Sequence, residues 1–373
     1  MRVLHEDLSK LRGRSPRQTM EQLSNRGDIE AIVGASKMDE SHGVLILSER
    51  EVRSCLPMKD AIGAVRQAYV AFAEGRVAMP PVVHLGVEKY NGEIDIKTGY
   101  VEDFQLISTK IASGFYDNPK IGLPSGVAVV VLMDLKTSLP LAIMDGTYLT
   151  AVRTGAAGGV AASVLARKNS KTVGVIGAGT QGREQVLALH ELFAIEKVKV
   201  WSKTASNAGK YSTEVAKRLG IEVQATANPR EAVADADIIV TATPSRTAIV
   251  MDDWIQPGVH INAIGADGPG KQELDPKIMK RAKIVVDSLK QCRVIGEIQH
   301  ALAQGLIRDS DIHAEIGEIL TGKKSGRESD DEITLFDSTG LAAQDIAAAN
   351  IVYQLAKKTG MGKSVTLLES NPN

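Results

Sequence analysis

A glycine-rich turn between an apolar strand and a helical segment restricts this chain to few folds. In VGVIGAGTQGREQ, residues 173–185, Gly177, Gly179 and Gly182 form the pattern G-x-G-x-x-G. The first glycine permits a tight turn, the second admits a pyrophosphate, and the third allows close packing of strand and helix. The helix N-terminus presents free N–H groups to the phosphates. The motif predicts a dinucleotide site, with Thr180 and Gln181 as further cofactor contacts.

Apolar and helical segments alternate around and after this motif. We predict strands in KTVGVIG, KVKVWS, DIIVTATP, HINAIGA and KIVVDS, and helices in REQVLALHELF and NAGKYSTEVAKRLG. Non-alternating apolar strands separated by helices are typical of a parallel sheet covered on both faces. The predicted fold class is therefore α/β, with a Rossmann-type doubly wound parallel sheet over residues 166–330. Thr243, near the end of the third of these predicted strands, is a further candidate for cofactor binding.

The remaining segments predict a mixed α+β domain. Residues 44–47 read as a strand, a helix follows from about Pro57, and SGVAVVVLMDLKTSLPLAIMDG predicts two strands joined by a turn. TYLTAVRTGAAGGVAASVLAR predicts a helix of small residues, with Thr150 as its N-cap. EITLFDSTGLAAQDIAAANIVYQLAKK predicts a strand and a long helix. We group residues 44–165 with 331–373 and assign residues 1–43 to an N-terminal extension.

Composition argues against several classes of function. The chain has 44 Lys and Arg against 45 Asp and Glu, so no basic excess serves nucleic acid or an anionic membrane. No apolar run reaches the roughly 18 residues that span a bilayer. Cys55 and Cys292 fit neither a disulfide framework nor a zinc motif, and the histidines show no ligand spacing. We expect a cytoplasmic protein without a metal, nucleic-acid partner or membrane partner.

The end of the second strand of the parallel sheet bears on the choice of cofactor. Sites that prefer NAD usually place Asp or Glu there, to accept hydrogen bonds from the ribose 2′-hydroxyl. This chain has Ser202, Lys203 and Thr204 instead. Hydroxyls and a cation suit a 2′-phosphate, so the sequence favours NADP(H), with NAD(H) as the alternative.

The stretch GADGPGKQ, residues 265–272, resembles a P-loop but has Gln272 where Mg²⁺ binding needs Ser or Thr. It follows a strand of the parallel sheet, and ligands of such sheets bind beyond the carboxyl ends of the strands. Asp267 is therefore expected near the nicotinamide, as a general acid/base or as a partner for a substrate nitrogen. Lys271 is expected to orient the loop or the cofactor. Taken alone, an aspartate before glycine is more often a turn residue.

Four separated motifs occur in order: TYLTAVRTGAA, VIGAGTQG, GVHINAIGADGPGKQELDP and EITLFDSTGLAAQD. Together they make the chain resemble the ornithine cyclodeaminase/mu-crystallin family, from residue 44 nearly to the end. The resemblance implies a Rossmann domain, a substrate-binding and dimerisation domain, and a homodimer. It also implies hydride transfer between a nicotinamide and the carbon that bears an amino or imino nitrogen.

The resemblance assigns roles to individual residues. Asp267 matches the catalytic acid/base, Arg153 the arginine that pairs with the substrate carboxylate, and Lys110 the lysine near the carboxylate or carbonyl. The family's arginine after a proline is missing from MPPVVHLG. Lys97 stands at a position where ornithine cyclodeaminases tend to have an uncharged residue. It either replaces the positive charge of the missing arginine or favours a substrate with a second carboxylate or oxo group. Asp95 lies on the same strand face, near the position of their glutamate for the distal amine.

The expected function is that of an NAD(P)H-dependent oxidoreductase acting on the C–N bond of a small α-amino or α-imino acid. This class includes ketimine and imino acid reductases and dehydrogenases like alanine dehydrogenase. One alternative is an ornithine cyclodeaminase, which forms L-proline and ammonia and recycles NAD within the site, although Lys97 disfavours a cationic substrate tail. Another is a mu-crystallin-like protein that binds NADPH and a small ligand.

Overall fold

The computed structural model describes residues 43–367, so the predicted N-terminal extension lies outside the described residues except for Gly43. Strands of this range form two eight-stranded sheets and a two-stranded ribbon. The first sheet contains β1 (Gly43–Leu47), β2 (Val77–Ala78), β3 (Val83–Val87), β4 (Gly92–Val101), β5 (Leu106–Phe115), β6 (Gly126–Asp134), β7 (Pro140–Asp145) and β18 (Lys363–Thr366). The second contains β8 (Thr172–Ile176), β9 (Lys197–Trp201), β10 (Glu222–Ala225), β11 (Ile238–Thr241), β13 (His260–Ala263), β15 (Ala282–Val286), β16 (Ile312–Glu315) and β17 (Ile333–Asp337). The ribbon pairs β12 (Arg246–Val250) with β14 (Gln272–Leu274).

Helices connect and cover these sheets. The α-helices of the described range are α1 (Glu49–Cys55), α2 (Met58–Ala73), α3 (Gly146–Leu165), α4 (Thr180–Leu192), α5 (Ala205–Leu219), α6 (Pro229–Val233), α7 (Leu289–Ile295), α8 (Gln299–Ala303), α9 (Ile316–Leu320) and α10 (Ala342–Thr359). Short 3₁₀ turns occupy Glu88–Tyr90, Glu102–Phe104, Asn118–Ile121, Asp252–Trp254, Pro276–Lys280 and Asp309–Asp311. Between residues 43 and 367, no helix has the length and apolar character of a membrane span.

The first sheet is mixed. Its order is β18-β1-β7-β6-β5-β4-β2, with β3 also paired to β4, and β1 runs parallel to β7. The antiparallel register sets Lys97 on β4 directly opposite Lys110 on β5. Because side chains alternate along a strand, both lysines point to the same face, which packs against α10. The β4–β5 hairpin thus places the two lysines side by side on one face.

The second sheet has the order β10-β9-β8-β11-β13-β17-β15-β16, and all its strand pairs are parallel. Together the two sheets confirm the predicted α/β fold class with a doubly wound parallel sheet. Strand β17, however, pairs with β13 and β15, whereas the sequence grouping put residues 331–373 with the first domain. Every residue of β17 is buried, as a central strand of a covered parallel sheet requires. The following helix, α10, packs against the first sheet, and β18 pairs with β1 of that sheet.

Helix α3 lies between the two sheets and is made of small residues. Its N-cap is Asp145, whose carboxylate accepts hydrogen bonds from the N–H groups of Thr147 and Tyr148. The prediction of Thr150 as the N-cap is therefore wrong, because that residue lies inside the helix. A Cβ atom on Gly155 would lie 2.5 Å from the Glu184 carbonyl oxygen of α4. Glycine at such positions lets α3 approach α4 closely, and α3 thereby contacts elements of both sheets.

Candidate active site

The glycine-rich turn after β8 has the geometry that a dinucleotide needs. Gly177 has φ +115°, and a Cβ atom there would lie 2.5 Å from the Ala242 carbonyl oxygen. A Cβ on Gly182 would clash with the Gly177 carbonyl oxygen, whereas a Cβ on Gly179 would meet no atom within 4 Å. The first and third glycines thus serve packing, and the second leaves open space in front of the α4 N-terminus.

The other predicted cofactor contacts lie around this turn. Thr180 and Gln181 are the first residues of α4, and the Gln181 Oε1 atom is buried without a hydrogen-bond partner in the described structure. Ser202 is half-buried after β9, and Lys203 and Thr204 are exposed. These residues follow the carboxyl ends of adjacent parallel strands, where open α/β sheets bind their ligands. The open turn and the unpaired amide oxygen fit a bound dinucleotide.

A buried carboxylate that the sequence reasoning missed joins two loops at this edge. The Oε1 atom of Glu273 accepts hydrogen bonds from the N–H and hydroxyl of Thr243, both at 2.6 Å. Its Oε2 atom accepts one from the Gly265 N–H at 3.0 Å. Burial raises the pKa of Glu273 to about 7. The Thr243 hydroxyl is therefore engaged by Glu273, which fixes the loops after β11 and β13 relative to each other.

The loop after β13 carries Asp267 at the surface. The Asp267 carboxylate is half-exposed, and its Oδ1 atom lies 2.7 Å from Lys271 Nζ. The same Lys271 Nζ lies 3.8 Å from Glu93 Oε1 on β4 of the first sheet. Gln299 supports the loop by accepting a hydrogen bond from the Gly270 N–H at 2.8 Å. Lys271 therefore orients Asp267 and links its loop to the first sheet.

A buried charge cluster lies between the first sheet, α3 and α10. Lys110 Nζ and Arg153 Nε each lie 2.9 Å from the same Oδ1 atom of Asp345. Arg153 Nη1 also donates to Gln344 Oε1 at 2.9 Å. Lys110 is 2% exposed and Asp345 is fully buried. Two cations thus share one carboxylate oxygen, and Asp345 Oδ2 has no hydrogen-bond partner among the described residues.

The electrostatics of this cluster are strongly coupled. Burial, and then the charge of Arg153, lowers the pKa of Lys110 to about 7. Burial alone would raise the pKa of Asp345, but Arg153 and Lys110 outweigh it and lower that pKa. Asp345 therefore stays ionised, and Lys110 gains or loses its proton near neutral pH.

Lys97 adds a third cation to this region. Its Nζ donates to the carbonyl oxygens of Thr339 at 2.8 Å and Gly340 at 2.9 Å. The N–H groups of the same two residues donate to Asp287 Oδ2 at 2.8 and 2.7 Å. Burial, and then the charge of Arg153, lowers the pKa of Lys97. Lys97 also borders a small cavity, whose lining includes Met79, Pro80, Val82, Thr98 and Gln291.

Asp95 lies apart from the cluster. It projects from the same face of β4 as Lys97, but its Oδ1 atom lies 2.8 Å from His84 Nδ1. The structure thus brings Lys97, Lys110 and Arg153 together. Asp95 lies outside this group, at a partly exposed position of β4. Within residues 43–367, no group of three His, Cys, Asp or Glu side chains is arranged to hold a metal ion.

The sequence did not point to several charged or polar groups that organise the site. These are Glu93, Glu273, Asp287, Gln344 and Asp345. Asp345 carried a usable signal, because LAAQDIAAAN places one acid among small apolar residues of a predicted helix. An acid in such a segment is buried and needs a cationic partner.

The fold and site define a Rossmann-type α/β protein with a buried charge cluster of Lys110, Arg153 and Asp345 between α3, α10 and the first sheet. Residues 43–360 match the model of the ornithine cyclodeaminase/mu-crystallin family. The chain belongs to this family, and the resemblance found in its sequence motifs is confirmed.

Three comparisons show how closely the chain resembles known members. It is 45% identical over 321 residues to alanine dehydrogenase of Archaeoglobus fulgidus, covering 86% of this chain and 98% of that protein. An archaeal alanine dehydrogenase dimer with bound NAD has a TM-score of 0.83 and 44% identity, covering 87% of this chain and 100% of that one. Δ¹-pyrroline-2-carboxylate reductase of Thermococcus litoralis, in complex with NADH and L-proline, has a TM-score of 0.84 and 41% identity, covering 86% and 100%.

Proposed function

We propose that this chain is an NAD(P)H-dependent oxidoreductase that acts on the C–N bond of a small α-amino or α-imino acid. The observation that carries the proposal is the shared oxygen of Asp345, which accepts both Lys110 and Arg153 in a buried site. One carboxylate does not balance two cations, and a substrate carboxylate supplies the missing charge. Guanidinium groups also bind carboxylates in a defined bidentate geometry. Similarity to an alanine dehydrogenase and a pyrroline-2-carboxylate reductase supports the same reaction class.

The protein contributes binding, orientation and proton handling. Arg153 and Lys110 hold the substrate carboxylate, and its arrival favours the protonated form of Lys110 because it adds a negative charge nearby. A nicotinamide cofactor, held by the Gly177–Gly182 turn with Thr180 and Gln181, would when bound supply or accept the hydride at the carbon that carries nitrogen. Asp267 contacts the substrate nitrogen, stabilises its protonated form during reduction and accepts its proton during oxidation. Lys271 is a positioning residue that holds the Asp267 carboxylate in place.

A spectrophotometric assay of NAD(P)H oxidation tests this proposal. The substrates are pyruvate, glyoxylate or oxaloacetate with ammonia, Δ¹-pyrroline-2-carboxylate, and L-ornithine with NAD⁺. We expect stoichiometric cofactor oxidation with at least one imino acid, and a loss of 10²-fold or more in kcat for Asp267→Asn, as for removal of a general acid/base. Asp253→Asn, at an exposed site, serves as the control. Formation of proline and ammonia from ornithine with only catalytic NAD⁺ would establish a cyclodeaminase instead, and absence of any turnover would favour a binding protein.

Between the two nicotinamide cofactors, we propose a preference for NADP(H) over NAD(H). Ser202, Lys203 and Thr204 follow β9 without an acidic residue among them, and the exposed Lys203 is available to a 2′-phosphate. We expect Lys203→Ala to lower kcat/KM for NADPH about tenfold, a loss of about 1.4 kcal/mol, with little change for NADH. The control is Lys210→Ala, an exposed lysine on α5. Equal losses with both cofactors, or a wild type that prefers NADH, would contradict this preference.

The assembly we propose is a homodimer. The face of the first sheet opposite Lys97 and Lys110 exposes apolar side chains on the neighbouring strands β3, β5 and β6. These side chains, each 41–58% exposed, are Val83, Leu85, Ile111, Val127 and Val129. A contiguous exposed apolar patch commonly marks a protein interface, and the similar archaeal alanine dehydrogenase is a dimer. Light scattering should give twice the chain mass for the wild type and the mass of one chain for Ile111→Lys. Val294→Lys, on α7 and away from this face, is the control and should keep twice the chain mass. A monomeric wild type would refute the dimer.

We also place the enzyme in the cytoplasm. Cys55 and Cys292 are both buried free thiols, which suits a reducing compartment. Fractionation of the source cells with an antibody tests this placement, and recovery in an extracellular or envelope fraction would contradict it.

A further inference from the structure

Two contacts restrain the backbone of the loop that carries Asp267. Arg246, the first residue of β12, donates from Nη1 to the Pro269 carbonyl oxygen at 2.9 Å. The side chain of Gln299, at the start of α8, accepts the Gly270 N–H at 2.8 Å. Both contacts lie within the part of the chain that forms the parallel sheet. The alignment of Asp267 with the buried charge cluster therefore needs a contact that reaches the first sheet.

Lys271 makes this contact. Its side chain is 12% exposed, and its Nζ atom lies 2.7 Å from Asp267 Oδ1 and 3.8 Å from Glu93 Oε1. Because side chains alternate along β4, Glu93 projects from the same face as Asp95. The Asp95 carboxylate is engaged by His84 at 2.8 Å, whereas the Glu93 carboxylate faces the Asp267 loop. One ammonium group thus lies between a carboxylate of that loop and a carboxylate of the first sheet.

Glu93 is itself held in place by Tyr116. The Tyr116 hydroxyl donates a hydrogen bond to Glu93 Oε1, the oxygen that also faces Lys271. Burial, and then the hydrogen bond to Glu93, raises the pKa of Tyr116 to about 12, so the hydroxyl keeps its proton at neutral pH. Gly114 is the cross-strand neighbour of Glu93, and a Cβ atom there would lie 3.3 Å from the Tyr116 hydroxyl oxygen. The glycine therefore leaves room for Tyr116 to reach Glu93.

We propose that Glu93 is a positioning residue of the reaction, which acts through Lys271 to hold the Asp267 carboxylate over the substrate. This inference rests on the proposed function, because it concerns the residue that contacts the substrate nitrogen there. Two carboxylates on one ammonium group restrict where that group can lie, and Asp267 is paired with it at 2.7 Å. A shift of about 1 Å at a reacting group can lower a rate by about 10²-fold. The loss of Glu93 should therefore slow the reaction and leave substrate binding by Arg153 and Lys110 nearly unchanged.

Steady-state kinetics of Glu93→Gln tests the proposal, with saturating NAD(P)H and the fastest of pyruvate with ammonia, oxaloacetate with ammonia and Δ¹-pyrroline-2-carboxylate. We expect kcat to fall about tenfold, while KM for the keto or imino acid and the dissociation constant of NAD(P)H stay within about twofold. Tyr116→Phe, which removes the hydroxyl that holds Glu93, should lower kcat by a smaller factor, about threefold. Glu88→Gln, at an exposed site in the turn before β4, is the control and should keep the wild-type kcat.

A double-mutant cycle tests whether Glu93 acts through Lys271. Residues that act as one unit have non-additive effects, so Glu93→Gln should change kcat little in a Lys271→Met background. The full tenfold loss in that background, an unchanged kcat in Glu93→Gln alone, or a loss confined to KM would overturn the role of Glu93 and leave the proposed oxidoreductase intact. No cofactor oxidation by the wild type with any imino acid would overturn the proposed function itself, and the role of Glu93 with it.

Discussion

Asp345→Asn tests whether the buried charge cluster stabilises the folded enzyme. The substitution preserves the shape of the side chain but removes the carboxylate that Lys110 and Arg153 share at 2.9 Å each. Removing one member of a buried ion pair typically costs about 3–5 kcal/mol, because the other charge stays buried without a partner. Here two cations lose the same partner, and the fully buried amide cannot draw compensation from water.

Lys110 and Arg153 respond differently to the loss of the Asp345 carboxylate, and this difference sets the expected loss in the free energy of unfolding. Lys110 can release its proton, since its pKa is already about 7, whereas Arg153 cannot. At pH 8 the loss should therefore be near the lower end of the range, about 3 kcal/mol. Below pH 7, Lys110 of the wild type is charged in both the folded and the unfolded state. In Asp345→Asn, Lys110 is neutral in the folded state and charged in the unfolded state. The destabilisation should then grow by up to about 1.4 kcal/mol per pH unit.

Urea unfolding at pH 6 and pH 8, at one fixed protein concentration, measures this effect. Glu49→Gln is a matched control, because it removes a carboxylate from an exposed pair with Arg53 and should change stability by less than about 1 kcal/mol. The double variant Lys110→Met/Asp345→Asn should be more stable than Asp345→Asn alone. A loss below 1 kcal/mol for Asp345→Asn, or the same loss at both pH values, would refute this account of the cluster.

Three other variants probe the glycine-rich turn and the buried acid Glu273. Gly177→Ala should destabilise the fold by about 2 kcal/mol, because a left-handed backbone and a close carbonyl oppose a side chain; wild-type urea stability would refute this. Gly179→Ala should fold normally but bind NADPH about tenfold more weakly, since its methyl group would enter the open space in which we propose that the pyrophosphate binds; unchanged affinity in a fluorescence titration would argue against that site. Because the folded pKa of Glu273 is raised to about 7, the folded state holds a proton that the unfolded state has released, so stability should fall from pH 5 to pH 7. Glu273→Gln should flatten that slope, and an equal slope in both proteins would contradict the assignment.

Local motifs allowed much of the fold to be predicted. The glycine spacing and the apolar strands near it specify a strand, a turn and a helix through short-range sterics, and the structure has all three at β8, Gly177 and α4. The N-cap of α3 shows the limit of such local inference. Asp145 and Thr150 are both good capping residues, and only the structure shows which side chain accepts the free N–H groups.

The buried charge cluster depends on contacts that no local pattern encodes. Asp345 meets Lys110 across 235 positions of sequence and Arg153 across 192. The family resemblance pointed to Lys110 and Arg153, but their shared partner required the packing of α10 on the first sheet. The position of β17 was missed for a similar reason, because a strand of five buried residues followed by a helix fits either sheet until its neighbours are known.

Helix α3 has a consequence for how the molecule unfolds. Its core cluster includes side chains from α2 and α10 together with Val285 and Phe336 of the parallel sheet, and its glycines are shaped to the surface of α4. Neither sheet can therefore lose its structure without exposing the apolar side of a helix on which the other depends. Calorimetry should accordingly show one heat-absorption peak for both halves, and a fragment that contains only the parallel sheet should not melt cooperatively by itself.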